Sequence, residues 1–249
     1  MPYQFSMLKV IRLVFGLLRK PKLSRVGFTL VELLVVIGII AILAGVALGP
    51  ITSGIKKANQ SKGLQTAHVL ALAEFQYAND NNQSYPDTGT TGNIGKGDAS
   101  DVAACLMSGG YVGDPGIFVI NGSAEANSKY TGSLTSINGL TSANISWDFA
   151  GNAGNASGAG KGSGVNSNFP DTMPLVWSST AGGTEPDLTN TGPTTVTLNA
   201  TMPFGTAGIA VCYKSNSASF IVAPGSTSKA TIVDATFPGA AIAVLKGGG

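Results

Sequence analysis

The amino-acid sequence predicts an α+β molecule in which a long amino-terminal helix crosses a membrane with its first half and packs by its carboxy-terminal half on a mainly antiparallel β head. Three observations lead there. From Phe28 to Gly49 run 22 residues with Glu32 as the single ionisable side chain, enough at about 1.5 Å per residue to cross a hydrocarbon layer of roughly 30 Å. Apolar residues at helical spacing then continue to about Asp80, the mark of a helix with one packed face. Beyond residue 80 the chain becomes rich in glycine, β-branched residues and turn formers and poor in charge, as expected of short strands joined by tight loops.

The charges divide at the start of the apolar run. Residues 1–27 hold Lys9, Arg12, Arg19, Lys20, Lys22 and Arg25 and no acid, while residues 28–249 hold the other nine basic residues, all lysine, and all 13 acids. The chain as a whole is +2, so the leader carries +6 and the remainder −4. Basic residues stay on the cytoplasmic side of a membrane, which places the amino end of the helix inside and everything after Gly49 outside. The basic leader is therefore set apart from the expected fold. An ordinary secretory signal is the competing reading, since Leu8 to Leu18 is fairly apolar, but the longest apolar run follows Gly27 and has no small-x-small site at its end. Glu32 lies at the mouth of that run, where a carboxylate costs on the order of 2.5 kcal/mol or more unless it is paired or reaches the interface, and so asks for a functional explanation.

The stretch Arg25-Val26-Gly27-Phe28-Thr29-Leu30-Val31-Glu32, with its basic leader and the unbroken apolar helix behind it, resembles the processing site of type IV prepilins and of the pseudopilins of type II secretion. The resemblance covers about the first fifth of the chain. It implies cleavage between Gly27 and Phe28 by a prepilin peptidase, N-methylation of Phe28, and a salt bridge from Glu32 to the terminal amine of a neighbouring subunit during assembly. It further implies a pilin-like fold and a structural subunit of a type IV pilus or type II secretion pseudopilus. Its partners would be copies of itself, other pilins, the prepilin peptidase and methyltransferase, and the inner-membrane assembly platform. The location implied is the inner membrane, single-pass, with the head periplasmic or extracellular, and then a filament. Two alternatives stay open: a minor or non-polymerising tip protein whose head binds a partner, and a membrane-anchored carbohydrate-binding or enzymatic domain.

The expected organisation is a leader over 1–27, a helix over 28–80 with its span at 28–49, and a head over 81–249. Along the helix, Ile55, Ala58, Leu64, Ala67, Ala71, Phe75 and Ala78 recur mostly at steps of three or four, widened by Leu70, Ala73 and Tyr77. Pro50 lacks a backbone donor and is flanked by Gly45, Gly49 and Gly54, which predicts a bend or a short linker there. Asn79 to Gln83 and then Tyr85-Pro86-Asp87 end the helix. In the head the pattern predicts a short helix over 101–108 and strands over 116–120, within 134–149, and over 174–177, 194–198, 208–213, 218–222 and 230–233. The strands at 208–213 and 218–222 read as a hairpin about Ser215-Asn216-Ser217. Residues 150–164 form a low-complexity Gly/Ala/Asn/Ser run read as a loop.

The head, residues 81–249, contains no histidine and no arginine, the single histidine being His68 on the helix. A Ser/His/Asp or Cys/His arrangement therefore lacks its base there, and no enzyme is expected. The acid pairs Asp98 with Asp101 and Glu185 with Asp187 read as surface carboxylates, and His68 as a packing residue. Transition metals lack ligands. Calcium, which needs only oxygens, is left open at Glu185 with Asp187 or at Asp148 with Asn152, and no cofactor is otherwise expected. Cys105 and Cys212, both outside the membrane on the charge argument, admit either a disulfide or two buried thiols. With a charge of −4 after the leader and no arginine, nucleic-acid binding has no electrostatic footprint.

Overall fold

A computed structural model of the chain describes residues 27–86, 98–120, 141–152, 165, 169–180, 188, 194–224, 228–233 and 242–246. It is an α+β protein: one long apolar helix followed by antiparallel sheet. Contacts divide the chain into two units, residues up to Thr52 and residues from Ser53 onward.

In the first unit Gly27, Phe28 and Thr29 are non-helical, and helix α1 (Leu30–Asp80) begins immediately after them. Every described residue up to Thr52 is exposed, and α1 is the one helix among the described residues long and apolar enough to span a membrane. Exposure of Leu33, Ile40, Leu43 and Val46 at about half or more of their surface would be unfavourable in water and is ordinary in lipid. Pro50 does not interrupt α1. Its ring removes one backbone donor, and nearby the Thr52 hydroxyl donates to Gly49 O at 2.9 Å.

In the second unit α1 buries one face: Gly63, Ala67, Leu70, Ala71, Ala73, Glu74, Tyr77 and Ala78. The small residues on that stripe let sheet and loops approach closely. The helix stops because Asn82 and Gln83 turn into the left-handed region, φ 53° and 60°. That turn lets Asn81 and Gln83 amides return to Ala78 O at 3.2 and 2.6 Å, while Asn81 Nδ2 donates to Tyr77 O at 2.8 Å, satisfying carbonyls that a helix end leaves orphaned. Tyr85 N then bonds Val165 O at 3.0 Å.

The head is built on a five-stranded antiparallel sheet ordered β5-β4-β2-β1-β7, comprising β1 (Trp147–Asn152), β2 (Pro174–Ser178), β4 (Ile209–Tyr213), β5 (Ala218–Ile221) and β7 (Ile242–Leu245). A two-stranded antiparallel ribbon joins β3 (Thr194–Thr197) and β6 (Lys229–Val233). Tyr213 of β4 donates its hydroxyl to Ile232 O of β6 at 2.7 Å. Strand β2 is buried throughout, as befits a central strand covered on both faces. A single apolar cluster joins the helix face to Trp147, Phe149, Trp177, Val211, Phe118 and the short helix α2 (Ala99–Ser108).

Four of the expected head strands fall within two residues of β3, β4, β5 and β6, and that over 174–177 is β2. The expectation at 116–120 is corrected. Pro115–Phe118 is a 3-10 turn, because Asp114 accepts from Gly116 N at 2.8 Å and Pro115 sets the first position, a local capping solution that outcompetes extended backbone. Ala150 to Asn152 belong to β1, not to the low-complexity loop. The rest of that run, and residues 121–140, lie outside the described residues.

Candidate functional site

The start of α1 is an interlocked cap. Thr29 N and Thr29 Oγ1 both donate to Glu32 Oε2, at 2.8 and 2.9 Å, and Glu32 N donates back to Thr29 Oγ1 at 3.2 Å. Thr-x-x-Glu at the cap and third helical position is a capping box, in which two orphan amides are satisfied reciprocally. A carboxylate there also faces the positive end of the helix dipole. Glu32 Oε1 receives no hydrogen bond among the described residues, so one oxygen of the carboxylate is left for another molecule. Glu32 is exposed, as is Phe28, at 78%. Gly27 and Phe28 lie in non-helical backbone two residues ahead of the helix, and a Cβ on Gly27 would meet nothing. An exposed, non-helical peptide bond between them is one a protease can reach. Thr29 was not singled out from the sequence as a site residue, although the spacing Thr29-x-x-Glu32 before an apolar run carried the signal.

The second half of α1 presents a different surface. On the side away from the core, Val69, Leu72 and Phe75 remain 47%, 39% and 47% exposed. Two open grooves border the helix. One, of about 440 Å³, lies between Lys56, Asn59, Gln60 and the Met202–Ala207 segment. The other, of about 430 Å³, lies between Lys62, Thr66, Val69 and the Tyr111–Val119 segment.

The remaining sequence candidates do not gather into a centre. Asp98 caps α2 by accepting from Ser100 N at 2.8 Å and from the Ser100 hydroxyl, and Asp101, expected at the surface, is buried in that helix. Asp148 is fully buried, its Oδ2 accepting from Thr180 N and Oγ1 at 2.8 Å each. Asn152 stands four residues further along β1. Glu185 and Asp187 lie outside the described residues. His68 is exposed, its Nδ1 lying 3.0 Å from Asn216 O in the β4–β5 turn. Among the described residues no group of three or more His, Cys, Asp or Glu side chains is placed to hold a metal.

Cys105 on α2 and Cys212 on β4 are both buried and are not joined. Of the two states that their number permits, the structure holds two separate buried thiols. Burial pushes the Cys212 thiol up to about 12, with the Glu74 carboxyl adding to the effect, so it stays protonated and unreactive at neutral pH.

Comparison with known proteins agrees with the geometry at the helix start. Residues 27–48 match the prokaryotic N-terminal methylation motif, the prepilin-type cleavage and methylation segment of type IV pilins and pseudopilins. The match ends within the apolar part of α1 and includes none of the head. No curated protein and no solved structure matches the chain.

Proposed function

We propose that this chain is a structural subunit of a type IV pilus or a type II secretion pseudopilus, released from its leader between Gly27 and Phe28, methylated on Phe28 and assembled through α1. The methylation motif over residues 27–48 carries this reading, and it supports the coarser statement directly: a pilin-like or pseudopilin substrate of prepilin peptidase, anchored by an apolar helix. The capping box adds a mechanism for assembly. Thr29 holds Glu32 Oε2, fixing the carboxylate beside the new terminus, and Oε1 remains to accept from the methylated amine of a neighbouring protomer. In lipid such a pair is favoured because either charge alone is costly there.

Withdrawal from the membrane would then bring apolar helices against one another, and the burial of their exposed side chains supplies the association energy. The exposed side chains of Val69, Leu72 and Phe75 add further apolar surface on the second half of α1. The head acts as outer covering in this reading, with no catalytic role and no cofactor assigned to it.

Glu32→Ala tests the assignment. Processing continues, because cleavage needs only the Gly27–Phe28 bond, while the variant is lost from sheared surface filaments or from the assembled pseudopilus. Incorporation at the wild-type level removes Glu32 from assembly.

A further inference from the structure

Glu74 lies on the face of α1 that packs into the head, one turn from Leu70 and from Ala78, and it is 1% exposed. Its Oε1 has no hydrogen-bond partner among the described residues. An acid of this kind on a stripe otherwise made of glycine, alanine, leucine and tyrosine has no packing advantage over a neutral side chain. Among the described residues, the titratable groups that interact with it are the Tyr85 phenol, from the segment after the helix, and the Cys212 thiol of β4. Both are neutral acids that supply no positive charge, and burial pushes each up to about 12. Behind Tyr85 stands Asp171, which is joined to Lys214 at 3.4 Å while the same amine donates to Phe169 O at 2.7 Å. On the helix itself, His68 is turned toward Asn216 and Tyr77 packs edge-on against Tyr111. Desolvation alone holds the Glu74 carboxyl well above the usual carboxylate range.

We propose that Glu74 folds as a neutral carboxylic acid and serves as an alkali-sensitive latch between α1 and β4, holding the helix on the sheet while it keeps its proton and loosening that junction when the proton passes to solvent. The inference concerns the head alone and does not depend on assembly into a filament. Its thermodynamic signature follows from linkage. An acid that binds its proton more tightly when folded contributes its full stabilisation below the unfolded value, near 4.3, and loses it as pH rises toward the folded value. Across that interval unfolding releases one proton, so the unfolding constant rises tenfold per pH unit.

The test is urea unfolding of the full chain in detergent from pH 5 to pH 8, followed by the fluorescence of Trp147 and Trp177, both fully buried, in wild type and Glu74→Gln. All other titrations are common to the two chains. The ratio of their unfolding constants, wild type over variant, rises at least tenfold across this range; a smaller rise overturns the proposal. If Glu74→Gln does not fold, infrared spectra of ¹³C-glutamate-labelled Glu32→Gln chain replace it. A protonated-acid carbonyl band that shifts with the label at pH 7 is expected, and its absence overturns the latch.

Discussion

Gly63 shows how a single missing methyl organises the head. A Cβ at this position would sit well inside contact distance of Phe204 Cζ, and that ring is in turn held edge-on against Phe220 of β5, centroids 5.3 Å apart. Gly63→Ala therefore forces either the ring or α1 to move, and overpacking of this kind costs about 1–3 kcal/mol. The measurement is the urea midpoint of the full chain in detergent, and an unchanged midpoint would show that Phe204 is free to yield. The two thiols offer a second check. Cys105 and Cys212 resist iodoacetamide in the native chain and both react once it is unfolded in urea without reductant; failure to react after unfolding would reveal a bridge. Neither feature was legible in the sequence. Gly63 is one of 34 glycines, and only Phe204, 141 positions away, makes it special. Glu74 sits at a spacing that fits the buried stripe, yet a carboxylate ordinarily takes the outer face, and only the packed head shows it inside. By contrast the motif that begins at Gly27 was readable at once, because it depends on neighbours in sequence alone.

The elements were legible in proportion to how local their causes are. Helix α1 follows from an apolar run and a 3.6-residue stripe, and Asn79 to Gln83 marked its end because a helix stop is a property of a few consecutive residues. The two left-handed residues, Asn82 and Gln83, are not glycine. Gln83 at φ 60° holds a conformation that costs a side-chain-bearing residue roughly 1 kcal/mol, so Gln83→Gly should raise stability by about 0.5–1 kcal/mol. A lower midpoint in the same urea experiment would mean that the Gln83 side chain makes a contact worth more than that strain. Strand β7 escaped because its pairing with β1, Phe149 opposite Leu245 through Asn152 opposite Ile242, joins segments almost a hundred residues apart, and nothing in a four-residue apolar run announces such a partner. At Pro115–Phe118 the apolar pattern pointed to a strand, whereas the Asp114-Pro115 pair, a capping signal, decided the outcome. Gly208 carries a related lesson: at φ 151° its Cα lies against Ile221 O, which lets β4 and β5 pair right up to that end.

The whole chain combines a membrane-directed half whose meaning lies in its sequence with a head whose meaning lies in its packing. In the proposed function, processing between Gly27 and Phe28 precedes every later step. A branched side chain at the cleavage position, Gly27→Val, should leave a precursor about 27 residues longer, seen as slower migration on a gel, and normal maturation of this variant would refute the site. Removing the Thr29 hydroxyl and its hold on Glu32, by Thr29→Val, leaves cleavage intact and weakens assembly less than loss of Glu32 itself, since the Thr29 amide still donates to the carboxylate. Equal loss in both variants would contradict that division of labour. Intact-mass and amino-terminal fragment analysis of the protein recovered from its native membrane decides the account as a whole. A chain that begins at N-methylated Phe28 is the predicted result, and one that keeps residues 1–27, or begins at any other position, contradicts it.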